Sequence, residues 1–474
     1  MYAYRANINN EEKIMNRKIY VKERLLIDIL KGLFVLLLSL GMYYVWTRYY
    51  NPQIPRSFYR LGNYFIAVVF GAVYIFLAQT YGGFMIGTST VSDIIYSHGI
   101  CVFLSLALTY VIFSLMSYKL VNVIPFFIMF AVFFSVAVIW TIATDWAYFK
   151  IHPPKKTIVV FDNVDSYLSL KGIKSMERRF NVVETLRSRE TDLDTIYKKL
   201  MSVDAVFLCG VPADYRNEIV KFCVRNNKVA YIKPKISDTI IRGGKTIQLL
   251  NVPVYRCTRS NPKLFYTFGK RAFDILISGL AIIILSPIMA VTAIAIKVTD
   301  NGPVLYKQER LTLNGEKFNI WKFRSMRVDA EKDGVARLAT EDDDRITPVG
   351  HVIRKLRIDE IPQLFNILGG SMSIVGPRPE RPEIAAQYEE HMPEFALRLQ
   401  VKAGLTGYAQ VYGKYNTPPY DKVQMDLTYV ATQSFLVDIK LMLMTVKILF
   451  MKESTEGVAA DQMTAEHHAD ENDI

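Results

Sequence analysis

A length of 474 residues, a formal net charge of +12 and 51% apolar residues exclude a small stapled scaffold and an ordinary soluble globule, and leave room for roughly two to four domains. A mean hydropathy of +0.16 is too polar for a pure transporter and fits a membrane block joined to soluble parts. The basic residues sit beside hydrophobic runs and not in a lysine-rich arm, so the charge points to an anionic membrane surface or an acidic substrate, with no nucleic acid partner. Cys101, Cys209, Cys223 and Cys257 form no CxxC pair. That speaks against a disulfide framework or a zinc site and for buried, reduced thiols.

In chain order, residues 1–24 predict a charged cytoplasmic tail carrying Arg5, Lys13, Arg17, Lys18, Lys22 and Arg24. The apolar run that follows has the length of a span and not of a cleavable signal. Within 25–149, four runs are long enough to cross a bilayer: Leu25–Trp46, Leu61–Gln79, Ile94–Ser117 and Leu120–Ala143. Lys150, Lys155 and Lys156 follow the fourth run, against a weaker set of Arg48, Arg56 and Arg60 in the first loop. Positive charge at both ends therefore predicts that both ends lie in the cytoplasm.

From Thr157 the pattern changes. TIVVF, FNVVE, DAVFLCG and KVAYIKP read as short strands, separated by helical stretches near Ser166–Arg179, Leu193–Ser202 and Ala213–Asn226. This alternation predicts a small parallel α/β domain within 150–256. Its first turn, FDNVDSYLS, lacks the glycines that bring backbone N–H groups onto a pyrophosphate, so a structural or regulatory role is favoured over nucleotide binding.

A fifth apolar run, 272–296, is flanked by Lys270 and Arg271 on one side and Lys297 on the other, with Ser286-Pro287 at its middle. Both basic flanks are satisfied if the helix enters the membrane, turns at the proline and leaves by the same face. Phe435–Lys452 predicts either an interfacial helix or a buried closing helix. The acidic tail, 453–474, is polar enough to be disordered.

The densest chemistry lies in Ile346–Pro382. Asp359-Glu360-Ile361-Pro362 predicts a helix start, because proline is tolerated in a first turn, with Asp359 at or near the N-cap. A helix N-terminus favours both an ionised carboxylate and a neighbouring phosphate. An aspartate there can serve as a nucleophile, and Glu360 can hold Mg²⁺, which takes few protein carboxylates. Arg354 precedes the pair, and Arg378 follows between Pro377 and Pro379, whose stiffness limits the entropy lost when a guanidinium grips a phosphate. Upstream, WKFRSM alternates aromatic and basic side chains, placing Lys322 and Arg324 on one expected cationic face. Each piece alone is an ordinary cap, turn or edge strand. Their concentration in one segment argues for a site that takes a phosphorylated substrate.

These residues lie in stretches that resemble the large monotopic phosphoglycosyl transferases, the bacterial sugar-transferase group that begins lipid-linked polysaccharide assembly. The resemblance runs through KRAFDI, GPVLYKQERL, WKFRSM, ITPVGHVIRKLRIDEIPQLFNIL, MSIVGPRPERP and VKAGLTGYAQVYGKYN. It implies a mixed membrane protein: a four-helix N-terminal transmembrane bundle, a degenerate Rossmann-like α/β domain, and a catalytic domain at 266–452 with a re-entrant helix turning at Ser286 and Pro287. It further implies that Asp359 attacks the sugar-proximal phosphorus of a UDP-sugar and expels UMP, and that a polyprenyl phosphate then takes the phosphosugar. Glu360 matches the metal-associated glutamate, while Lys322, Arg354 and Arg378 match basic positions. A homodimer in the bacterial inner membrane, with the catalytic domain facing the cytoplasm, is also implied. Ala403 stands where many members have proline. Two other readings stay open: a non-catalytic scaffold or sensor of polysaccharide export, and a transferase that attacks directly without an enzyme intermediate.

Overall fold

The computed structural model describes residues 25–162, 174–260, 262–328, 345–413 and 417–449. The basic N-terminal tail, the first part of the expected helix at Ser166–Arg179 and the acidic tail at 453–474 lie outside the described residues. The chain divides at Lys233/Pro234 into two compact units.

The first unit opens with four long apolar helices: α1 (Leu25–Gln53), α2 (Leu61–Tyr81), α3 (Val91–Met116) and α4 (Ile124–Ile151). Each is long and apolar enough to cross a membrane. Gly82, at φ +75°, ends α2 in the left-handed conformation that glycine adopts without a Cβ clash. Thr90 starts α3 by accepting from the Asp93 backbone N–H. Outward-facing Leu36, Phe65, Phe103 and Phe127 are exposed, as expected of helices whose solvent is lipid. Inside the bundle, Phe34 stacks on Trp140 with ring centroids 4.6 Å apart, and the Tyr74 hydroxyl lies 2.7 Å from Nδ1 of buried His98.

The same unit continues as β1 (Lys155–Phe161), α5 (Lys174–Arg179), β2 (Phe180–Arg187), α6 (Leu193–Met201), β3 (Ala205–Cys209), α7 (Ala213–Arg225) and β4 (Val229–Ile232). The four strands form one parallel sheet in the order β2-β1-β3-β4. The apolar runs of β1 and β3 are buried because helices cover them, with Ile158, Val160, Val206 and Leu208 packing on Ile196, Leu200 and Ile219. Beyond the carboxyl end of β1, Arg189 forks onto Asp162 at 2.8 and 3.1 Å.

The α/β alternation places the end of this domain at residue 256, whereas its sheet ends at Ile232. The following α8 (Ile236–Gly243) and the hairpin of β5 (Lys245–Leu249) and β6 (Val252–Arg256) belong to the second unit. Ile236 is buried with Ala385, Phe395, Val423 and Leu427. Gly243 lies so close to Ala431 that a Cβ there would meet the alanine Cβ at 2.6 Å.

The second unit goes on with α9 (Leu264–Asp300), β7 (Leu305–Leu311), β8 (Lys317–Phe323), α10 (Pro348–Lys355), α11 (Gln363–Gly369), β9 (Ser373–Val375), α12 (Pro382–His391), β10 (Gly404–Thr406), α13 (Tyr408–Tyr412), α14 (Pro419–Thr432) and α15 (Phe435–Leu449). α9 is helical throughout, Pro287 included, and Ser286 Oγ donates to the Ile283 carbonyl at 2.8 Å. Its 37 residues extend about 55 Å if straight, at ~1.5 Å per residue. Arg271 donates to the last carbonyls of α11, Ile367 and Leu368, at 2.6 and 2.8 Å, and buried Asp274 accepts from the Ile374 N–H at 3.1 Å. Ile277, Ala281, Ile282 and Leu285 pack on the core of Ile320, Leu364 and Ile367. Further along, Met289, Ala293 and Ile296 pack on Phe323 and Ile353. Both ends of α9 therefore touch the same domain, while Leu276, Leu280, Ile283, Ile284, Val291 and Ile294 form an exposed apolar stripe.

α15 is the closing helix of this core, with Leu441 buried and Val437, Met442 and Ile448 packed against it. Asp438 ties α15 down. It accepts from Tyr266 at 2.8 Å, Lys270 at 2.9 Å and Tyr429 at 2.8 Å. Removing one partner of a buried ion pair leaves the other charge uncompensated. We expect Asp438→Ala to cost about 3–5 kcal/mol, read as a lowered thermal midpoint of the detergent-solubilised protein, and an unchanged midpoint would contradict the role given to this network.

Candidate active site

The acidic pair sits in a 3-10 turn, Ile358–Glu360, and not at the cap of the next helix. Pro362 is the N-cap of α11, so the expected helix-dipole placement of Asp359 is corrected by one short turn. The cause lies at Arg357, which adopts the left-handed conformation at φ 54°, ψ 25°. For a non-glycine residue that conformation costs about 1–2 kcal/mol, and no sequence pattern announces it. It reverses the chain between α10 and the turn, with the Arg357 N–H bonded to the Arg354 carbonyl at 3.0 Å.

Glu360 is the hub. Its Oε1 lies 3.2 Å from Lys322 Nζ and 3.2 Å from Arg378 Nη2, and its Oε2 lies 3.6 Å from Arg357 Nη1. Burial works to raise the Glu360 carboxyl, but the charges of Lys322, Arg378 and Arg357 outweigh it and hold the group well below the usual carboxylate range. Asp359 is different. Among the described residues no hydrogen bond or ion pair engages its carboxylate. Burial and the adjacent Glu360 charge push it up to about 6, against the pull of Lys322, Arg354 and Arg357. Two neighbouring carboxylates thus have opposite environments: one locked by cations, one half-buried and free to react.

The structure brings Lys322, Arg354 and Arg378 to this pair and leaves Arg324 elsewhere. Lys322 is carried by β8 in its hairpin with β7. Arg354 stands in the last turn of α10 and acts on Asp359 through its charge. Arg324 lies one residue past the end of β8, beside Ile296, Thr299, Met326 and Thr347. It packs so tightly on Gly302 that a Cβ there would meet Nη1 at 2.5 Å. The expected cationic face is therefore divided between two places. Ser286 and Pro287 lie within α9, apart from the acidic turn in sequence and in role.

The Arg378 loop is held by its backbone. Pro377 and Pro379 are buried while Arg378 projects, 48% exposed. The Pro377 carbonyl accepts from Gly404 N–H at 2.9 Å, and Gly376 N–H donates to the Thr406 carbonyl at 2.8 Å. Contacts this close need glycine on both sides: a Cβ on Gly376 would meet the Lys402 carbonyl at 2.2 Å, and one on Gly404 the Gly376 nitrogen at 2.1 Å. Buried Arg398 adds a hydrogen bond to the Arg378 carbonyl at 2.8 Å. At Ala403, where a proline was the alternative, the N–H donates to Thr312 Oγ1 at 3.1 Å, a bond proline cannot make.

Sequence reasoning missed four residues: Arg310, Glu380, Arg398 and Asp426. Arg310 lines an open cleft of about 270 Å³ together with Lys322, Glu360, Arg378, Pro379 and Leu405. The quoted stretch GPVLYKQERL contains Arg310, but nothing in its spacing separates that arginine from Lys307. As for a metal, no group of three or more His, Cys, Asp or Glu side chains gathers among the described residues. A preformed cage is therefore absent there, yet Glu360 Oε2, with Arg357 only at 3.6 Å, fits a cation that brings its other ligands with a phosphate and water.

A carboxylate pair ringed by guanidinium and ammonium groups, on a domain bearing an exposed apolar helix, is chemically suited to an anionic ligand beside an apolar phase. Comparison with known proteins agrees. The description "Bacterial sugar transferase" matches residues 265–452. The chain is 34% identical to an undecaprenyl-phosphate glucose phosphotransferase of Komagataeibacter xylinus over 57% of this chain and 54% of the relative. It is 40% identical to a UDP-N-acetylgalactosamine-undecaprenyl-phosphate N-acetylgalactosaminephosphotransferase of Aeromonas hydrophila, over 40% and 45% of the two chains. A UDP-glucose:undecaprenyl-phosphate glucose-1-phosphate transferase of Caulobacter vibrioides matches at 36% identity over 46% of this chain and 83% of its own length. This chain belongs to the bacterial sugar transferase family, as its motifs imply. It spans about half the length of the first two relatives.

The Arg398–Asp426 pair offers a pH test of how the loop is held. Their side chains lie 2.7 Å apart and are 8% and 1% exposed. Burial raises the Asp426 carboxyl to about 6, with Glu380 adding to the effect and Arg398 and Lys422 opposing it. A folded-state value above the unfolded one, near 4, means that the fold takes up a proton as pH falls. Asp426 therefore favours the fold more as pH drops through 6 toward 4. The difference in thermal midpoint between wild type and Asp426→Asn should change over that window and stay flat from pH 7 to 8. A difference that is constant throughout would contradict this assignment.

Proposed function

We propose that this protein transfers a sugar-1-phosphate from a UDP-sugar to a polyprenyl phosphate by way of a covalent intermediate on Asp359. The observation that carries the reading is the asymmetry of the acidic pair. Glu360 is committed to three cations, whereas Asp359 is unpaired, half-buried and adjacent to them. An ionised carboxylate attacks a phosphorus only where the phosphate's own charge is offset, and Lys322, Arg354, Arg357 and Arg378 supply that offset.

In the first step an Asp359 oxygen bonds to the sugar-proximal phosphorus. The bond from that phosphorus to the bridging oxygen breaks, and UMP leaves with the electron pair. In the second, an oxygen of the polyprenyl phosphate bonds to the same phosphorus, and the acyl phosphate bond returns its electrons to Asp359. Glu360 holds Lys322 and Arg378 in place and would hold Mg²⁺, which supplies further neutralisation of phosphate charge. The relatives above carry different sugars in their names, so the reading stops at the class of donor.

The lipid acceptor sets where the site must lie. α9 enters the membrane with both ends on the cytoplasmic side of the bacterial inner membrane, its exposed stripe in lipid. What supports this is that Arg271 near one end and Ile296 near the other pack on the same domain. A helix crossing the bilayer would carry Ile296 to the far side of a hydrocarbon layer about 30 Å thick, away from the domain that holds Arg271. α1 to α4 span as a bundle, with Lys150, Lys155 and Lys156 marking the cytoplasmic end of α4. A homodimer completes the proposal. What supports it is the hairpin β5–β6, which exposes Leu249, Leu250, Val252 and Tyr255 together.

The test is release of UMP from a panel of UDP-sugars by the purified protein in the presence of polyprenyl phosphate. Asp359→Asn and Glu360→Gln should each lower turnover by about a thousandfold or more, the scale of losing a positioned charge in a reacting site. Near-normal turnover in either variant contradicts the role given to it, and no UMP from any donor would favour a scaffold.

A further inference from the structure

We propose that Arg310 binds a phosphate of the nucleoside-diphosphate donor, letting go of Glu380 to do so. This rests on the donor class proposed above, and it assigns a residue that the acidic pair does not itself point to.

Arg310 stands on β7, opposite Phe318 of β8, and its side chain lines the same cleft as Lys322, Glu360, Arg378 and Pro379. A guanidinium has five N–H donors, and here they are poorly used. Nη2 donates to Gln308 Oε1 at 2.6 Å, and Nη1 reaches Glu380 Oε1 at 3.3 Å. Nε is buried with no hydrogen-bond partner. The 3.3 Å contact is long for a charge-assisted bond, which settles near 2.7–2.9 Å, and Glu380 Oε1 also accepts from the Arg381 N–H at 3.3 Å. The pair is a loose hold on a charge that is already out of water.

A purely structural bolt would not look like this. β7 is tied to the Glu380 segment without it, through the Leu311 N–H donating to the Glu380 carbonyl at 3.0 Å. Burying a guanidinium beside Arg378 and Arg381 is unfavourable: burial, and then those two charges, lower its affinity for its proton, with Glu380 as the main opposing influence. The arrangement becomes favourable when an anion with several acceptor oxygens arrives. A diphosphate brings two phosphates. Lys322 and Arg378 are already shared with Glu360, and Arg310 is a guanidinium in the cleft that is not tied to the acidic pair. Once Nη1 lets go of Glu380 it can donate to a phosphate oxygen, and the planar guanidinium brings Nη2 alongside it.

The test uses the full chain in lipid nanodiscs, with UDP and undecaprenyl phosphate titrated separately. Arg310→Gln should weaken UDP binding about tenfold or more and leave undecaprenyl phosphate binding within about twofold. Glu380→Gln, which removes the competing carboxylate, should tighten UDP binding severalfold and also serves if Arg310→Gln fails to fold. UDP affinity unchanged in Arg310→Gln, a loss confined to undecaprenyl phosphate, or a Glu380→Gln variant that binds UDP no tighter than wild type each overturns the assignment. Wild-type protein that binds no UDP would sink the donor class itself, and this inference with it.

Discussion

Three cations converge on one carboxylate, and the rest of the second unit is arranged around that convergence. Glu360 gathers Lys322 from a strand, Arg357 from a left-handed turn and Arg378 from a proline-bounded loop. None of these cations is near another by local sequence alone. A single carboxylate lies among them, and their charges hold it ionised against the cost of its burial. Once Glu360 is committed, the neighbouring Asp359 inherits the field of the same cations without being bonded to any of them. The proposed nucleophile and the group that organises the site are therefore adjacent residues in different environments.

That arrangement needs a rigid frame, and the frame is mostly backbone. Gly376, Gly404 and Gly407 let β9, β10 and the Arg378 loop approach more closely than any side chain permits. Two buried prolines leave the loop few conformations, and Arg398 fixes its carbonyl. Beneath them runs α9, anchored by Lys270, Arg271 and Asp274 through side-chain bonds to Asp438, α11 and β9. One long helix thus serves two phases: its inner face completes the core under the acidic turn, and its outer face is apolar enough for lipid.

Much of this was legible in the chain. The four strands of the parallel sheet announced themselves as β-branched runs, and α6 and α7 as the amphipathic stretches between them. Asp359, Glu360, Lys322 and Arg378 stood out because acids, bases and prolines crowd one segment. Other features could not be read. The left-handed Arg357 moves the acidic pair out of the helix cap, and an arginine carries no signal for that conformation. Arg324 sits two residues from Lys322, which suggests one face, but the strand ends at Phe323 and the chain turns toward Gly302. α8 and the β5–β6 hairpin continue the strand–helix rhythm of the first unit, yet contacts distant in sequence, Ile236 with Val423 and Gly243 with Ala431, place them in the second. Pro287 reads as a breaker, but α9 runs through it, with Ala281, Leu285, Met289 and Ala293 packed on the domain to either side of the proline.

The central claim is chemical: the Asp359 carboxylate becomes esterified by the sugar's own phosphate during turnover. Protein quenched with acid shortly after mixing with a competent UDP-sugar, digested and examined by mass spectrometry, tests it directly. The account predicts a phosphosugar mass addition on the peptide containing Asp359, present without the lipid acceptor and discharged when polyprenyl phosphate is added. Lipid-linked product that accumulates at the wild-type rate, with no adduct at any quench time, would contradict it.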